Sequence, residues 1–181
     1  MDLTLILGPM KSGKTLELIS RISPLKYMPV KFVLFQPERN VRDAEVQSRA
    51  GAMLSGRKVQ SLKEALLEDW DVVGIDEVHM FSPEDVVVVE KLLQKKTRVI
   101  ISGLDLDYKR KIFDTIVRLI ELGPKEIIYK RAVCEKCLEY NGIYTQVFKN
   151  EEPVVEGPPS VVPDDGSYQY KPVCRECFIK S

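Results

Sequence analysis

Three groups of residues in this 181-residue chain have the types and spacing to do chemistry. The first is GPMKSGKT, running Gly8, Pro9, Met10, Lys11, Ser12, Gly13, Lys14, Thr15, which fits G-x-x-x-x-G-K-[ST]. Glycines let the backbone wrap phosphate oxygens closely, so that successive amide hydrogens point inward. A helix that follows aims its positive dipole end at the same anion. In such a loop the lysine neutralises the β- and γ-phosphates and the threonine coordinates Mg²⁺. The second group is VVGIDEVHMF, residues 72–81, an apolar run that closes on Asp76 and Glu77, with the only histidine, His79, two positions further on. The third is a pair of C-x-x-C knuckles, Cys134/Cys137 and Cys174/Cys177, which hold all four cysteines.

With a phosphate loop in place, Asp76 is the expected partner that holds Mg²⁺ through water. An acid beside the magnesium carboxylate is placed to take a proton from whatever attacks the γ-phosphate. That is the expected work of Glu77. If water attacks, the chain is an ATPase; if a substrate hydroxyl attacks, it is a kinase. The local sequence leaves both open. Four thiolates in two knuckles suit a closed, tetrahedral and therefore structural zinc site, the alternatives being free thiols or two disulfides. The 36 residues between the knuckles exceed a compact ribbon, so a sizeable loop must project there.

These residues need elements to position them. LTLIL (3–7), KFVLF (31–35), DVVGID (71–76), RVIIS (98–102) and EIIYK (126–130) read as buried strands. Leu16, Ile19 and Ile22 recur at helical spacing until Pro24. SLKEALLEDW predicts a short helix with Ser61 and Glu64 as a capping box. Ser82 and Pro83 begin another over SPEDVVVVEKLLQKK, and residues 113–122 predict a third. Residues 36–58 read as a long loop. Trp70, beside a strand start, reads as a core anchor. Strands alternating with amphipathic helices imply an α/β fold with a parallel sheet covered on both faces. Beyond about residue 131 cysteines, hairpin segments and a Pro/Gly-rich stretch replace that rhythm, which predicts two domains, 1–131 and 132–181.

Composition adds limits. The 27 basic and 27 acidic residues cancel, so no overall field invites nucleic acid or a membrane surface. No apolar run approaches the roughly 20 residues that span a bilayer, and the N-terminus lacks a basic leader, so a cytoplasmic location is the expectation.

Together the phosphate loop, the D-E pair on a later strand and the split Cys₄ ribbon resemble the type II (cytosolic-type) thymidine kinases over nearly the whole chain. GPMKSGKT resembles that family's G-P-M-x-S-G-K-[ST], DEVHMF its D-E-x-Q-F-F, and GLDLDYKRKIF its G-L-D-x-x-F-x-x-x-P-F. AVCEKC and YKPVCREC are similar to its two cysteine motifs. The resemblance implies a RecA-like P-loop domain with a zinc ribbon and a lasso-like loop. It implies transfer from ATP, with Mg²⁺, to the 5′-hydroxyl of a deoxynucleoside, thymidine first, with Glu77 as the base. It places Arg42, Leu104, Tyr108, Phe113, Gly166 and Tyr170 at the nucleoside and His79, where the family has glutamine, beside the ATP phosphates. A homotetramer with feedback inhibition by the triphosphate product is also implied.

This chain departs from the pattern at several points. Asn40 replaces the aspartate of a D-x-R motif, Lys11 an aromatic of the phosphate loop, Ile112 a proline, and Asp165-Gly166 a G-G pair. Pro158, Pro159 and Pro163 lack the amide hydrogen that main-chain recognition of a base uses. Two other readings remain: an ATPase whose zinc ribbon grips nucleic acid, and a paralogue that binds nucleotide without turnover.

Overall fold

A computed structural model describes residues 2–38, 45–47, 53–154 and 168–178. Its strands and helices run β1 (Leu3–Leu7), α1 (Lys14–Ile22), β2 (Phe32–Pro37), β3 (Glu45–Gln47), β4 (Met53–Ser55), β5 (Arg57–Val59), β6 (Val72–Ile75), α2 (Val86–Gln94), β7 (Arg98–Gly103), α3 (Asp114–Glu121), β8 (Glu126–Tyr129), β9 (Tyr144–Lys149), β10 (Glu152–Pro153) and β11 (Tyr168–Val173). Six strands form one sheet in the order β5-β2-β6-β7-β1-β8, and every pairing within it is parallel.

Side chains alternate along each strand, so both faces of this sheet are apolar and both are covered. Leu3, Leu5, Leu7, Val73, Ile75, Val99 and Ile101 share one core with Val86, Val89 and Leu93 of α2 and Ile116 and Leu119 of α3. Ile6, Leu34, Val72 and Ile100 share the other with Leu18, Ile19 and Ile22 of α1. Trp70 lies in the first core, with Lys31 and Arg57 stacked on its ring at 4.6 and 5.1 Å. The parallel sheet and the valine-rich helix after Ser82 thus match the sequence pattern. Helix α2 is preceded by a single 3-10 turn, Pro83–Asp85, with Ser82 at its cap.

Two local expectations are corrected. Residues 36–58 are not one loop: β2 runs on to Pro37, β3 and β4 pair as a small hairpin, and β5 joins the edge of the main sheet. Strands β3, β4 and β5 have three residues each, too short to display a period. SLKEALLEDW forms only a 3-10 turn, Leu62–Leu66. Its Ser61 hydroxyl accepts from Lys63 N–H, as expected of a cap, and also donates to Asp85 Oδ1 at 2.6 Å. The α-helix itself ends at Ile22, just before Pro24 as expected, and the chain winds on as a 3-10 segment, Ser23–Tyr27, with Pro24 in its first turn, where no amide donor is needed.

Residues beyond β8 build a second sheet, order β10-β9-β11, all antiparallel. A small core of its own, Cys134, Val173 and Cys174 with Tyr144, Cys177 and Phe178 against them, lies at its cysteine end. No helix among the described residues is long and apolar enough to cross a membrane.

Candidate active site and cysteine cluster

The loop Gly8–Gly13 joins the C-terminal end of β1 to α1, the position where open parallel sheets bind their ligands. Gly8 has φ 143°, and a Cβ there would stand 2.4 Å from the carbonyl oxygen of Lys130. Only glycine fits. Gly13 caps α1 in left-handed backbone, φ 82°. Between them Lys11 also has positive φ, 61°. The buried Lys14 ammonium folds back to donate to the Pro9 carbonyl at 2.6 Å and to Ser12 Oγ at 3.4 Å. The loop is further tied to the second sheet, where Met10 N–H donates to Thr145 Oγ1 at 2.9 Å and Lys11 Nζ pairs with Glu135.

Asp76 follows the last residue of β6, two strands away from β1 in the sheet. Its carboxylate accepts from Thr15 Oγ1 at 3.1 and 3.3 Å and from Ser102 Oγ at the end of β7. Burial, with the neighbouring Glu77 charge second, raises its carboxyl from 3.8 to about 6. A buried acid in that state gains from a cation, and the donor set of one carboxylate and one hydroxyl is all oxygen, as Mg²⁺ requires. These residues fit the ion, with phosphate oxygens and water supplying its remaining ligands.

The backbone reverses at Glu77, which adopts φ 50°, ψ 41°. Such left-handed backbone is strained in a non-glycine residue, and strain of this kind clusters at working sites. The His79 side chain is buried and accepts at Nδ1 from Leu104 N–H, 3.2 Å away. Burial first, then the Lys14 charge, pushes its imidazole down to about 3. It is therefore neutral, with its proton on Nε2. Glu77 Oε2 lies 3.6 Å from that same Nδ1, but a neutral ring whose Nδ1 is already an acceptor makes no ion pair with it. The His79 ring instead packs on Phe113, centroids 5.1 Å apart.

Leu104, Tyr108 and Phe113 lie on one excursion between β7 and α3, pinched by a bridge between Leu106 and Ile112. Asp107 Oδ1 accepts from both Lys109 and Lys111 amides at 2.8 Å and so fixes the turn. Tyr108 is buried, and its hydroxyl has no hydrogen-bond partner among the described residues. Tyr170 lies in β11 opposite Val147 and is half-buried. Arg42, Gly166 and the departures Asn40 and Asp165 lie outside the described residues.

Sequence reasoning passed over two side chains here. Ser102, which holds Asp76, ends the apolar run of β7 as Asp76 ends that of β6, and this parallel was the available signal. Asp105, largely buried, has its carboxyl raised by desolvation, with the Lys14 charge acting the other way. No spacing pointed to it.

The four sulfurs of Cys134, Cys137, Cys174 and Cys177 all lie within 4.8 Å of one another. Cys137 Sγ and Cys174 Sγ are 3.9 Å apart, and all four cysteines are free. A tetrahedron of sulfurs at the Zn–S bond length has edges of roughly 3.8 Å, whereas a disulfide needs about 2 Å. Both knuckles close with the same backbone bond, Leu138 N–H to Cys134 O at 2.8 Å and Phe178 N–H to Cys174 O at 3.1 Å. Burial opposes ionisation of Cys134, yet the amides of Cys137, Cys174 and Lys136 outweigh it and bring that thiol down to about 6. Cys177 is pushed up to about 12, first by hydrogen bonding to Cys174 and then by burial. Four thiolates this close need a dication to coexist, and the cluster fits zinc.

Comparison with known proteins agrees with this geometry. The family model described as thymidine kinase matches residues 1–178. A thymidine kinase of Pseudothermotoga lettingae is 34% identical over 183 aligned positions, covering 98% of this chain and 95% of the relative. Thymidine kinases of Bacteroides thetaiotaomicron and Bacteroides fragilis are each 32% identical over 180 positions, covering 97% of this chain and 86% of theirs. With a phosphate loop, a carboxylate pair at the end of β6 and a thiol cluster all inside the matched span, the chain belongs to the thymidine kinase family.

Proposed function

We propose that this protein transfers the γ-phosphoryl group of ATP to the 5′-hydroxyl of thymidine. The observation that carries the reading is the arrangement at residues 15, 76 and 77. Asp76 accepts from Thr15 in the phosphate loop, and the next residue, Glu77, sits on left-handed backbone with its carboxylate partly exposed. One acid thus serves the metal while the other is left for the acceptor.

In this mechanism the amides of Gly8–Gly13 and the helix end of α1 hold the phosphates, and Lys14 swings from the Pro9 carbonyl to the phosphate oxygens. Thr15 and Asp76 would hold Mg²⁺, which would supply charge neutralisation on the phosphates. Glu77 accepts the 5′-hydroxyl proton as that oxygen bonds to the γ-phosphorus. The bond from the γ-phosphorus to the β,γ-bridging oxygen breaks, and ADP leaves with the electron pair. The proton on Glu77 then passes to water. Leu104, Tyr108, Phe113, Arg42, Gly166 and Tyr170 contact the nucleoside. His79 serves the same centre by holding Leu104 and Phe113, a neutral support rather than a proton carrier.

Zinc in the Cys134, Cys137, Cys174 and Cys177 cluster is structural, because four thiolates close its coordination. Residues 1–131 form the nucleotide-binding domain and 132–181 the zinc domain that covers the substrate. The family reading extends to a homotetramer at work in the cytoplasm. One assay tests the function: ATP consumption alone, with a panel of nucleosides, and with single-stranded DNA. Consumption that requires thymidine and yields its 5′-monophosphate is expected. Equal hydrolysis without nucleoside, stimulation by DNA alone, or no turnover overturns the proposal in favour of an ATPase or a non-catalytic binder.

A further inference from the structure

Arg110 sits in the turn between Leu106 and Ile112 with φ 66°, a left-handed backbone in which glycine is unstrained. An arginine held there calls for a side-chain reason. Its guanidinium carbon lies 4.9 Å from the ring centroid of Phe178 and 5.8 Å from that of Tyr144. The two rings meet edge to face, centroids 5.3 Å apart at 69°. Both rings belong to the cysteine end of the second sheet: Tyr144 begins β9 and Phe178 follows Cys177. Both pack against the core of Cys134, Val173 and Cys174.

The base of this arm is rigid. Arg110 N–H donates to the Asp107 carbonyl at 3.0 Å, and the Asp107 carboxylate fixes the amides on either side of it. The same excursion carries Leu104, bonded to His79, and Phe113, packed on His79. A continuous run of contacts therefore leads from the thiol cluster through Arg110 to the residues beside Glu77. The neighbour of Tyr144, Thr145, independently holds Met10 of the phosphate loop.

We propose that Arg110 is a positioning residue that couples the cysteine cluster to the 104–113 excursion, so that metal loading of the cluster sets where Leu104 and Phe113 stand. The consequence for catalysis rests on the assignment of those two residues to the nucleoside pocket; the coupling itself does not.

The test uses full-length, zinc-loaded protein as wild type, Arg110→Gly and Arg110→Lys. Glycine removes the arm while suiting the backbone, so Arg110→Gly should hold or raise thermal stability and keep its zinc and its ATP affinity. Its KM for thymidine should rise roughly three- to tenfold with kcat little changed, the factor expected for two exposed cation–ring contacts. Arg110→Lys, which keeps a cation, should recover part of that loss. Hydrogen exchange reads the coupling directly. Stripping zinc with a chelator should speed exchange at the Lys109, Lys111 and Phe113 amides of the wild type. In Arg110→Gly those amides should already be fast, with chelation adding little. Unchanged protection in zinc-loaded Arg110→Gly, or chelation loosening both proteins equally, overturns the proposal. If exchange behaves as stated while the thymidine KM stays fixed, the coupling stands and the pocket assignment of Leu104 and Phe113 falls.

Discussion

Leu104 donates its backbone N–H to Nδ1 of His79 at 3.2 Å, although 25 residues separate them. This single bond fixes the tautomer of the chain's one histidine and anchors the start of the 104–113 excursion. Because there is one histidine, there is one imidazole signal to follow by NMR. The expected outcome is an Nε2–H ring that does not titrate between pH 8 and pH 5. Its folded value near 3 lies below the ordinary 6.5, so the stability it contributes is complete above pH 6.5 and is lost as pH falls toward 3. His79→Gln should flatten stability against pH in that window. A histidine signal with a midpoint near 6.5 contradicts the assignment.

Glu77→Gln keeps the size and hydrogen-bonding reach of the side chain but removes the proton acceptor. Loss of a general base typically lowers kcat by ~10²–10⁴. ATP affinity should stay close to wild type, since Lys14, Thr15 and the loop amides remain. Asp76→Asn should instead shift the Mg²⁺ concentration needed for half-maximal rate, as well as the rate itself. Steady-state kinetics across a magnesium series separates the two. Wild-type turnover in Glu77→Gln removes Glu77 from the chemistry.

Metal analysis of purified protein should find one zinc per chain. Cys174→Ser should lose it, because Cys174 Sγ stands 3.9 Å from Cys137 Sγ at the heart of the cluster. Removing a structural zinc costs folding free energy directly. Melting should become less cooperative and its midpoint lower, while ATP still binds the loop after β1. Retention of a full zinc by the variant would exclude the four-sulfur site.

Glu17 of α1 pairs with Arg21 at 2.9 Å and with Lys130, just past β8, at 3.3 Å, while Arg21 reaches Glu126 at 2.8 Å. The Arg21 hydrogen bond, then Lys130, holds its carboxyl below the ordinary 4.5. A depressed carboxylate contributes stability that is present above about pH 4.5 and fades as pH falls through the lowered value. Glu17→Gln should cost up to about 1 kcal/mol at pH 7, as suits a partly exposed network. That difference should shrink under acid denaturation below about pH 4.5. A difference that stays constant with pH would mean packing, not charge, carries the effect.

The sheet was legible because its central strands β1, β2, β6 and β7 are short, mostly apolar runs, as strands covered on both faces must be, while the edge strand β8 is half-exposed. The phosphate loop was legible because its glycines are demanded by geometry: at Gly8 a single Cβ would strike Lys130. Short pieces were not. β3, β4 and β5 are strands only because neighbours offer them hydrogen bonds, which no period within three residues records. The acid pair announced itself at the end of β6, but the serine that holds Asp76 and the arm of Arg110 arise from side chains meeting across the fold. Such meetings leave no mark in local spacing.

Strand β1 has no sequence neighbour beside it in the sheet: it lies between β7 and β8, which begin at Arg98 and Glu126. Gly8, at its end, is wedged under a carbonyl of Lys130. During synthesis the phosphate loop emerges well before the walls that shape it, β7 and the Lys130 carbonyl, are made. Until they arrive, the nascent chain carries every nucleotide-binding residue of that loop and has no cradle. ATP can then favour only chains in which the whole six-stranded sheet has closed, so the ligand acts as a proofreader of completed folding.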